Sequence, residues 1–436
     1  MRRPRNRRSP LKIFILAIVV AFLVYVNITV EPLSPTLFMP SPTPTTSPEM
    51  FIAEAEQFAS EGKYSLALQA YDRAIKSSPQ DPKNYIAAAR LNLYAGNYEA
   101  AIENASNAVL LDQNNSMDSA IQGFALGMRG EYLDGEAALN RAINLDPSNA
   151  VAYGYLSIML SNKILIGDEV LGDLDKAIEA SRTAESIAAN GLETLWARGT
   201  VLEITGNYEE AVVDLERAVA INTNIADLHI TLGRNYRFLD EYDLAVEEFT
   251  RANALNPNDP FPDTLIARTY ASIGEFARAI QYAEQAVADD PNDPYLYGNL
   301  GVMYKQNFDF ERAILMLKLA IRGGLTPEGV VVEGLPLASG RVVEYYYNYG
   351  LALMELGYCG GEGQANAIAQ SILQSINDDT IATYNANFIL ERCNQKLNDL
   401  QLLKLPAPTM IPTWTPRPSA TPTPAPTVEP TQTLLP

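Results

Sequence analysis

The sequence of 436 residues is poor in the side chains that most often carry metal or nucleophilic chemistry. It has one histidine, His229, and two cysteines, Cys359 and Cys393, which do not form a C-x-x-C pair. A zinc site made of cysteine and histidine is therefore excluded. The nucleophile elbow G-x-S-x-G, the Walker A loop, H-E-x-x-H and G-x-G-x-x-G are also absent. We expect a protein that is not an enzyme, without catalytic residues, cofactor or metal ion.

Basic residues are scarce as well, with 32 Lys and Arg against 52 Asp and Glu and a net charge of -20. Nucleic-acid binding depends on cations that neutralise phosphates, so this balance argues against a nucleic-acid partner. The basic residues are also unevenly placed. Six of them lie in the first twelve positions, where no acid occurs: Arg2, Arg3, Arg5, Arg7, Arg8 and Lys12.

A hydrophobic stretch follows this basic start. Between Ile13 and Val26 there is neither a charge nor a proline, and residues 13–30 have the minimum length for a transmembrane helix. A cleaved signal peptide is the alternative, but its small cleavage-site residues are replaced by bulky ones such as Tyr25. We therefore expect an uncleaved, single-pass signal-anchor helix at 13–30. The basic residues 1–12 would stay cytoplasmic, and the rest of the chain would be extracytoplasmic.

Two segments rich in Pro, Ser and Thr flank the body of the chain. Residues 31–47 are expected to form an extended stalk, because a Pro-rich linker favours polyproline II. Residues 405–436 are rich in Pro and Thr and are expected to form a disordered tail. Neither segment has the composition of a packed core.

The body between them repeats with a period of 34 residues. Gly62 returns as Gly96 and Tyr64 as Tyr98, within a frame G-x-Y-x-x-A-x-x-x-Y-x-x-A. This frame resembles the tetratricopeptide repeat over residues 48–359, with eight clear repeats and a weak ninth. The resemblance implies an all-α, right-handed superhelical solenoid of helical hairpins. Its glycine ends the first helix of each hairpin in a left-handed cap.

Several positions depart from the frame. Asp240 and Phe308 replace the turn glycine, so we expect those two turns to be built differently. Residues 161–171 interrupt repeat four, and residues 324–342 form a second insertion, interpreted as a short β-hairpin or an ordered loop. Residues 360–404 contain a degenerate repeat and capping helices.

The two cysteines lie at the junction with this cap. Cys359 and Cys393 are 34 residues apart, and an oxidising compartment would allow a disulfide between the last repeat and the cap. Two buried free thiols are the alternative, because cysteine packs well in protein cores. His229 falls on the fourth position of a first helix, where the family packs a bulky side chain, so we expect a structural role.

The resemblance also implies a binding groove. In the family, positions two, five, nine and twelve of each first helix line a concave face. These positions include Arg90 in repeat two, Trp196 in repeat five, Arg234 and Arg237 in repeat six, Arg268 in repeat seven, Lys305 in repeat eight and Tyr347 in repeat nine.

A row of cations in an acidic protein suggests capture of an acidic or C-terminal carboxylate group, with the aromatic residues as anchors. The alternative is pairing of these cations with Glu residues on neighbouring helices. The pattern does not reproduce the Lys/Asn/Lys/Arg clamp of the chaperone-binding family members.

The functional hypothesis is a non-enzymatic, membrane-tethered protein–protein interaction scaffold that binds a peptide or protein in the concave groove. The alternative is a structural spacer of the cell envelope or cell wall that engages glycan through its Pro/Thr-rich tail.

Overall fold

The computed structural model describes residues 14–15, 17–22, 47–338, 340–361, 363–376 and 378–402. The predicted basic segment 1–12, nearly all of the stalk and the tail 405–436 lie outside the described residues. Of the predicted span, residues 14–15 and 17–22 are helical and exposed. Within the described part of the chain, no helix combines the length and the apolar character needed to cross a membrane.

The solenoid consists of nine helical hairpins followed by a single helix, in agreement with the predicted all-α class. We number the hairpins as repeats one to nine. The helices are α1 Pro48–Ser60, α2 Tyr64–Ser77, α3 Pro82–Tyr94, α4 Tyr98–Leu111, α5 Ser116–Met128, α6 Tyr132–Leu145, α7 Ala150–Leu165, α8 Asp173–Ala188, α9 Leu192–Ile204, α10 Tyr208–Ile221, α11 Ala226–Phe238, α12 Tyr242–Leu255, α13 Pro260–Ser272, α14 Phe276–Asp289, α15 Pro294–Gln306, α16 Phe310–Arg322, α17 Arg341–Glu355, α18 Ala365–Ser375 and α19 Thr380–Leu402.

Small residues set the distance between the two helices of a hairpin. Ala67 and Ala74 of α2 are fully buried. In repeat five, a Cβ on Gly199 would lie 2.5 Å from the side chain of Leu215, which packs against it from α10. A larger side chain at such a crossing would push the helices apart, so the small residues of the frame determine how closely each hairpin packs.

The turns within most of the hairpins share one backbone conformation. Gly96 has a φ of 75°, and the amide of Asn97 donates to the carbonyl of Asn92 at 2.8 Å. Asp240 and Phe308 adopt the same left-handed region, with φ values of 62° and 60°. The expectation that these two turns are built differently was therefore wrong. Their hydrogen bonds to the preceding helix, such as Glu241 N to Tyr236 O at 2.9 Å, maintain the conformation despite its steric cost.

The two insertions have different structures. Residues 161–165 continue α7, which has 16 residues where most first helices have 13, and only the residues after Leu165 form the longer turn. A buried ion pair, Lys163 Nζ to Asp173 Oδ2 at 2.9 Å, joins the two ends of that turn. The second insertion contains a β-hairpin of β1 Gly324–Leu325 and β2 Val331–Val332, which pair antiparallel.

The C-terminal end of the solenoid is closed by α18 and α19. A disulfide joins Cys359 to Cys393 on α19, with 5.2 Å between the Cα atoms. Lys396 adds a hydrogen bond from Nζ to the carbonyl of Met354, at 2.6 Å, at the end of α17. Unpaired carbonyls at the end of a helix favour such a cation.

The superhelix also makes contacts between distant repeats. Three tyrosines of repeats one and two bond to residues 99 to 158 positions further along the chain. We call these bonds the closure contacts: Tyr64 OH with Asn222 Oδ1 at 3.3 Å, Tyr94 OH with Glu193 Oε1 at 3.3 Å, and Tyr98 OH with Asp227 Oδ2 at 2.5 Å. Repeats one and two therefore rest against repeats five and six.

Two turn glycines lie at the same junction. A Cβ on Gly62 would lie 2.7 Å from the side chain of Asn224, and one on Gly96 would lie 2.8 Å from Asn256. The equivalent Gly206 and Gly274 have open space at this point. Only at the first two of these four turns does glycine serve both the left-handed backbone and a close approach between repeats.

We predict that Gly62→Ala lowers the stability of the chain more than Gly206→Ala does. Both substitutions place a Cβ atom on a residue with a positive φ, at 71° and 79°, which is unfavourable for alanine. Gly62→Ala also forces Asn224 away, which adds a steric cost of about 1–3 kcal/mol. Urea unfolding of both variants, followed by circular dichroism, measures the difference. Equal losses would contradict the close packing of repeat one against repeats five and six.

Candidate functional site

Four cations lie on the first helices of repeats six to nine: Arg237 on α11, Arg268 on α13, Lys305 on α15 and Arg341 on α17. We call them the inner cationic surface. Three belong to the predicted groove set. Arg341 was missed because it lies just before the first motif position of its repeat. Among the described residues, none of the four forms an ion pair.

Arg237 and Arg268 are the centre of this surface, and both are half-buried. Burial lowers the pKa of Arg237 to about 10, and the charges of Arg268 and Arg234 contribute. Burial also lowers the pKa of Arg268, together with the charge of Arg341. Partly desolvated cations that repel one another are unfavourable, so a bound anion would stabilise them.

Arg234 does not contribute an available cation, although the sequence placed it in the same row. Its guanidinium donates to both carboxylate oxygens of Glu203, at 2.7 and 2.9 Å. Burial acts to lower the pKa of Arg234, but Glu203 outweighs that effect and the pKa is raised. Arg234 therefore follows the alternative given in the sequence analysis, in which a groove cation pairs with a Glu on a neighbouring helix.

Lys305 and Tyr347 extend the surface toward the C-terminal repeats. Both are half-buried. Burial lowers the pKa of Lys305, while the charges of Glu355 and Glu344 oppose it. Burial raises the pKa of Tyr347 to about 12, and Glu344 adds to the rise.

Two aromatic residues that were not in the predicted groove set occupy position two of successive first helices. Phe261 on α13 is 43% exposed and Tyr295 on α15 is 40% exposed. Aromatic residues and arginines are both enriched in protein-binding surfaces. Position two was part of the family pattern, so this signal was available in the sequence.

Trp196 is not an anchor on an open groove, which corrects the sequence interpretation. Its side chain is only 2% exposed. The ring packs edge-on against Phe124, with 5.7 Å between centroids, and Phe124 stacks on Tyr155 at 4.2 Å. Trp196 belongs to the apolar core of repeats two to six.

Arg90 is exposed but lies with the N-terminal repeats. Burial raises the pKa of Tyr64 and of Tyr71 there, and the charge of Arg90 opposes the rise. His229 is fully enclosed in repeat six, with Nδ1 2.5 Å from Glu248 Oε2 and Nε2 2.9 Å from the carbonyl of Thr223. It connects α11 to α12 and to the preceding turn. The structure does not place either residue on the inner cationic surface.

Neither a metal site nor a second charged binding site is found in the part of the chain that the structure describes. The described residues include no group of three or more His, Cys, Asp or Glu arranged to hold a metal ion. A groove of about 640 Å³ lies between α8, α9 and α10. Its Arg198 and Arg217 are both paired with Asp214, at 3.2 and 3.1 Å, so its charge is already balanced.

Comparison with known proteins finds similarity over part of the repeat region. Tetratricopeptide repeat models match residues 192–225, 226–259 and 264–327. A curated relative is the small glutamine-rich tetratricopeptide repeat-containing protein 2 of Mycosarcoma maydis, 30% identical over 107 residues. That match covers 23% of this chain and 30% of the relative. The chain therefore spans less than a third of the length of that protein.

Solved structures with similar helical arrangements include Pseudomonas aeruginosa pilF and yeast Tom70. The pilF structure is 21% identical, with 47% of this chain and 92% of that chain covered and a TM-score of 0.36. Tom70 is 13% identical, with 81% and 89% covered and a TM-score of 0.41.

We predict that two arginines of α11, Arg234 and Arg237, contribute very differently to the stability of the chain. Arg234→Gln leaves the buried Glu203 without its cation and should reduce the free energy of unfolding by about 3–5 kcal/mol. Arg237→Gln removes a cation that has no acidic partner among the described residues, so its effect should stay below about 1 kcal/mol. Urea unfolding measures both. A large loss for Arg237→Gln would show that this residue is structural.

Proposed function

We propose that this chain, which carries tetratricopeptide repeats, is a non-enzymatic scaffold that binds a peptide or protein on the inner face of repeats six to nine. Such repeats support a role in protein–protein interaction. One observation carries the assignment to this face. Arg237 and Arg268 are half-buried and have no acidic partner among the described residues, although the chain has a net charge of -20.

The chemistry of this face favours an anionic partner. A guanidinium group binds a carboxylate through two parallel hydrogen bonds, and partial burial strengthens them. The proposed ligand presents acidic side chains or a C-terminal carboxylate to Arg237, Arg268, Lys305 and Arg341. Tyr347, Tyr295 and Phe261 would contact its apolar side chains.

We also propose that the scaffold is tethered to a membrane through residues 13–30, with the repeats outside the cytoplasm. The apolar run and the six preceding cations support the tether and its orientation. The disulfide between Cys359 and Cys393 supports a location of the repeats outside the cytoplasm, because disulfides persist mainly under oxidising conditions.

The alternative proposal is a spacer that engages envelope glycan through residues 405–436. The Pro- and Thr-rich composition of that segment supports it. Deletion of residues 405–436 distinguishes the spacer from the peptide-binding scaffold. Release from envelope material with unchanged peptide binding would favour the spacer, whereas retention in the envelope would argue against it.

We predict that Arg237→Gln/Arg268→Gln weakens binding of an acidic peptide by at least about tenfold, because both guanidinium groups are lost. The probe is a fluorescein-labelled Glu-rich peptide, with a free or an amidated C-terminus, titrated by fluorescence anisotropy. Comparison of the two termini distinguishes acidic side chains from a terminal carboxylate.

The matched control for this titration is Arg278→Gln. Arg278 lies on α14, is 61% exposed and pairs with Glu275 at 2.8 Å, so its loss should leave binding unchanged. A Gln-rich peptide of the same length measures binding that does not depend on charge. Equal affinity of the double variant and the wild type would refute the assignment to this face.

We predict that the two cysteines are oxidised in the cell. Protein denatured directly from cells in the presence of a PEG-maleimide should gain no label, and prior reduction should add two labels. The Cys359→Ser/Cys393→Ser variant controls for unspecific labelling. Two reactive thiols without reduction would contradict the proposed extracytoplasmic location of the repeats.

A further inference from the structure

Repeat seven carries a buried carboxyl group at the motif position that His229 occupies in repeat six. Asp263 is the fourth residue of α13 and is only 1% exposed. Both ring nitrogens of His229 have partners. Asp263 has a partner on one oxygen only, because Oδ1 accepts from Nδ2 of Asn253 on α12, at 2.8 Å. Its Oδ2 is buried and has no donor among the described residues.

A second carboxyl group, that of Asp289 at the end of α14, lies within hydrogen-bond reach of Asp263. Its Oδ1 accepts from Nε2 of Gln285 at 2.8 Å, and its Oδ2 is also buried without a donor in the described part of the chain. Each carboxyl group thus uses one oxygen for an amide donor and leaves the other oxygen without one. Two adjacent carboxylates repel each other, and a buried acceptor without a donor is costly.

No cation is among the groups that act on Asp263. Those groups are Asp289 on α14, Asn253 on α12 and Asp259 in the turn before α13, and Asp263 itself acts on Tyr282 of α14. Burial raises the pKa of Asp263 to about 7. The charge of Asp289 and a hydrogen bond to it add to the rise, whereas the hydrogen bond from Asn253 opposes it.

One proton would satisfy both buried oxygens. Carried on Oδ2 of Asp263, it would be donated to the carboxylate of Asp289, and the two amide hydrogen bonds would stay in place. A metal ion would need more ligands than two carboxyl groups provide. The described residues include no group of three or more His, Cys, Asp or Glu that could hold one.

We propose that Asp263 and Asp289 share one proton in the folded chain, as a hydrogen-bonded acid and carboxylate that join α13 to α14, and that its loss loosens repeat seven as the pH rises. This hairpin carries Arg268 and Phe261 on its first helix. The proton-sharing pair nevertheless does not depend on the function proposed for the inner cationic surface.

The direction of the pH dependence follows from where the proton is held. The unfolded chain loses the Asp263 proton near pH 3.9, the ordinary value, whereas the folded chain keeps it up to about pH 7. The stabilisation is therefore complete below the unfolded value, and it is lost as the pH rises through the folded pKa. Between pH 6 and pH 8, this pair should raise the equilibrium constant for unfolding by about tenfold.

Asp263→Asn tests the shared proton, because an amide imitates the protonated acid. Its nitrogen can donate to Asp289 at any pH, and its oxygen can still accept from Asn253. Urea unfolding of the full chain at pH 6 and pH 8, followed by circular dichroism in buffer with EDTA, measures the change. The change should be about tenfold smaller in the variant than in the wild type. Other buried acids, such as Asp118, titrate alike in both proteins and cancel in the comparison.

Asp289→Asn is the second variant. Its amide can donate to Asp263 in the reverse direction, so it should remove the same share of the pH dependence. Asp243→Asn on α12 is the matched control, because Asp243 is exposed, and it should behave as the wild type does. Hydrogen exchange at pH 8, measured by mass spectrometry, should be slower in α13 and α14 of Asp263→Asn than in the wild type, and unchanged in repeats one and two.

Two results would overturn the shared proton. A pH dependence as large as that of the wild type in both Asn variants would show that the pair holds no proton at pH 6. An equal reduction in Asp243→Asn would show that the net charge of the chain, and not this pair, causes the effect. Either result leaves the peptide-binding proposal untouched, because that assay measures a ligand on the inner cationic surface.

Discussion

The structure depends on the close crossing of two helices in every hairpin. Small residues such as Ala67 and Gly199 occupy the crossings, and a larger partner side chain such as Leu215 fills the space beside them. Because each hairpin has one apolar face that it cannot bury alone, the hairpins stack into a solenoid. The same crossing in every repeat lets many short helices form one long body, and α19 covers the last exposed face.

The cations of the inner face differ in whether an acidic side chain neutralises them. The chain is acidic overall, yet cations line the first helices of the later repeats. Arg234 is neutralised by Glu203 within the chain, whereas Arg237 and Arg268 repel one another in a partly buried setting. The difference lies in whether a carboxylate is within reach, and that distance cannot be deduced from the residue type or from the motif position.

The contact between the first two repeats and repeats five and six changes what the concave face can do. Tyr64 and Tyr98 belong to the repeat frame, whereas the hydroxyl of Tyr242, at the same motif position, donates to Asp240 of its own turn. Here a frame residue has a second use, because the superhelix brings its hydroxyl to a polar partner on a distant repeat. The same contact occupies Glu193 and Asp227, two inner positions of repeats five and six, with tyrosines of repeat two.

The sequence by itself determined the repeat. Its period of 34, the turn glycines and the crossing alanines depend on interactions within a hairpin or between neighbours, so they leave a local pattern that can be recognised in one chain. The same pattern predicted the set of groove residues, although it missed Arg341 and included the buried Trp196. The partner of Arg234 and the burial of Trp196 were decided only by the tertiary structure. Each depends on the superhelical path or on a neighbouring helix, and contacts between residues 31 to 158 positions apart have no signature in a single sequence.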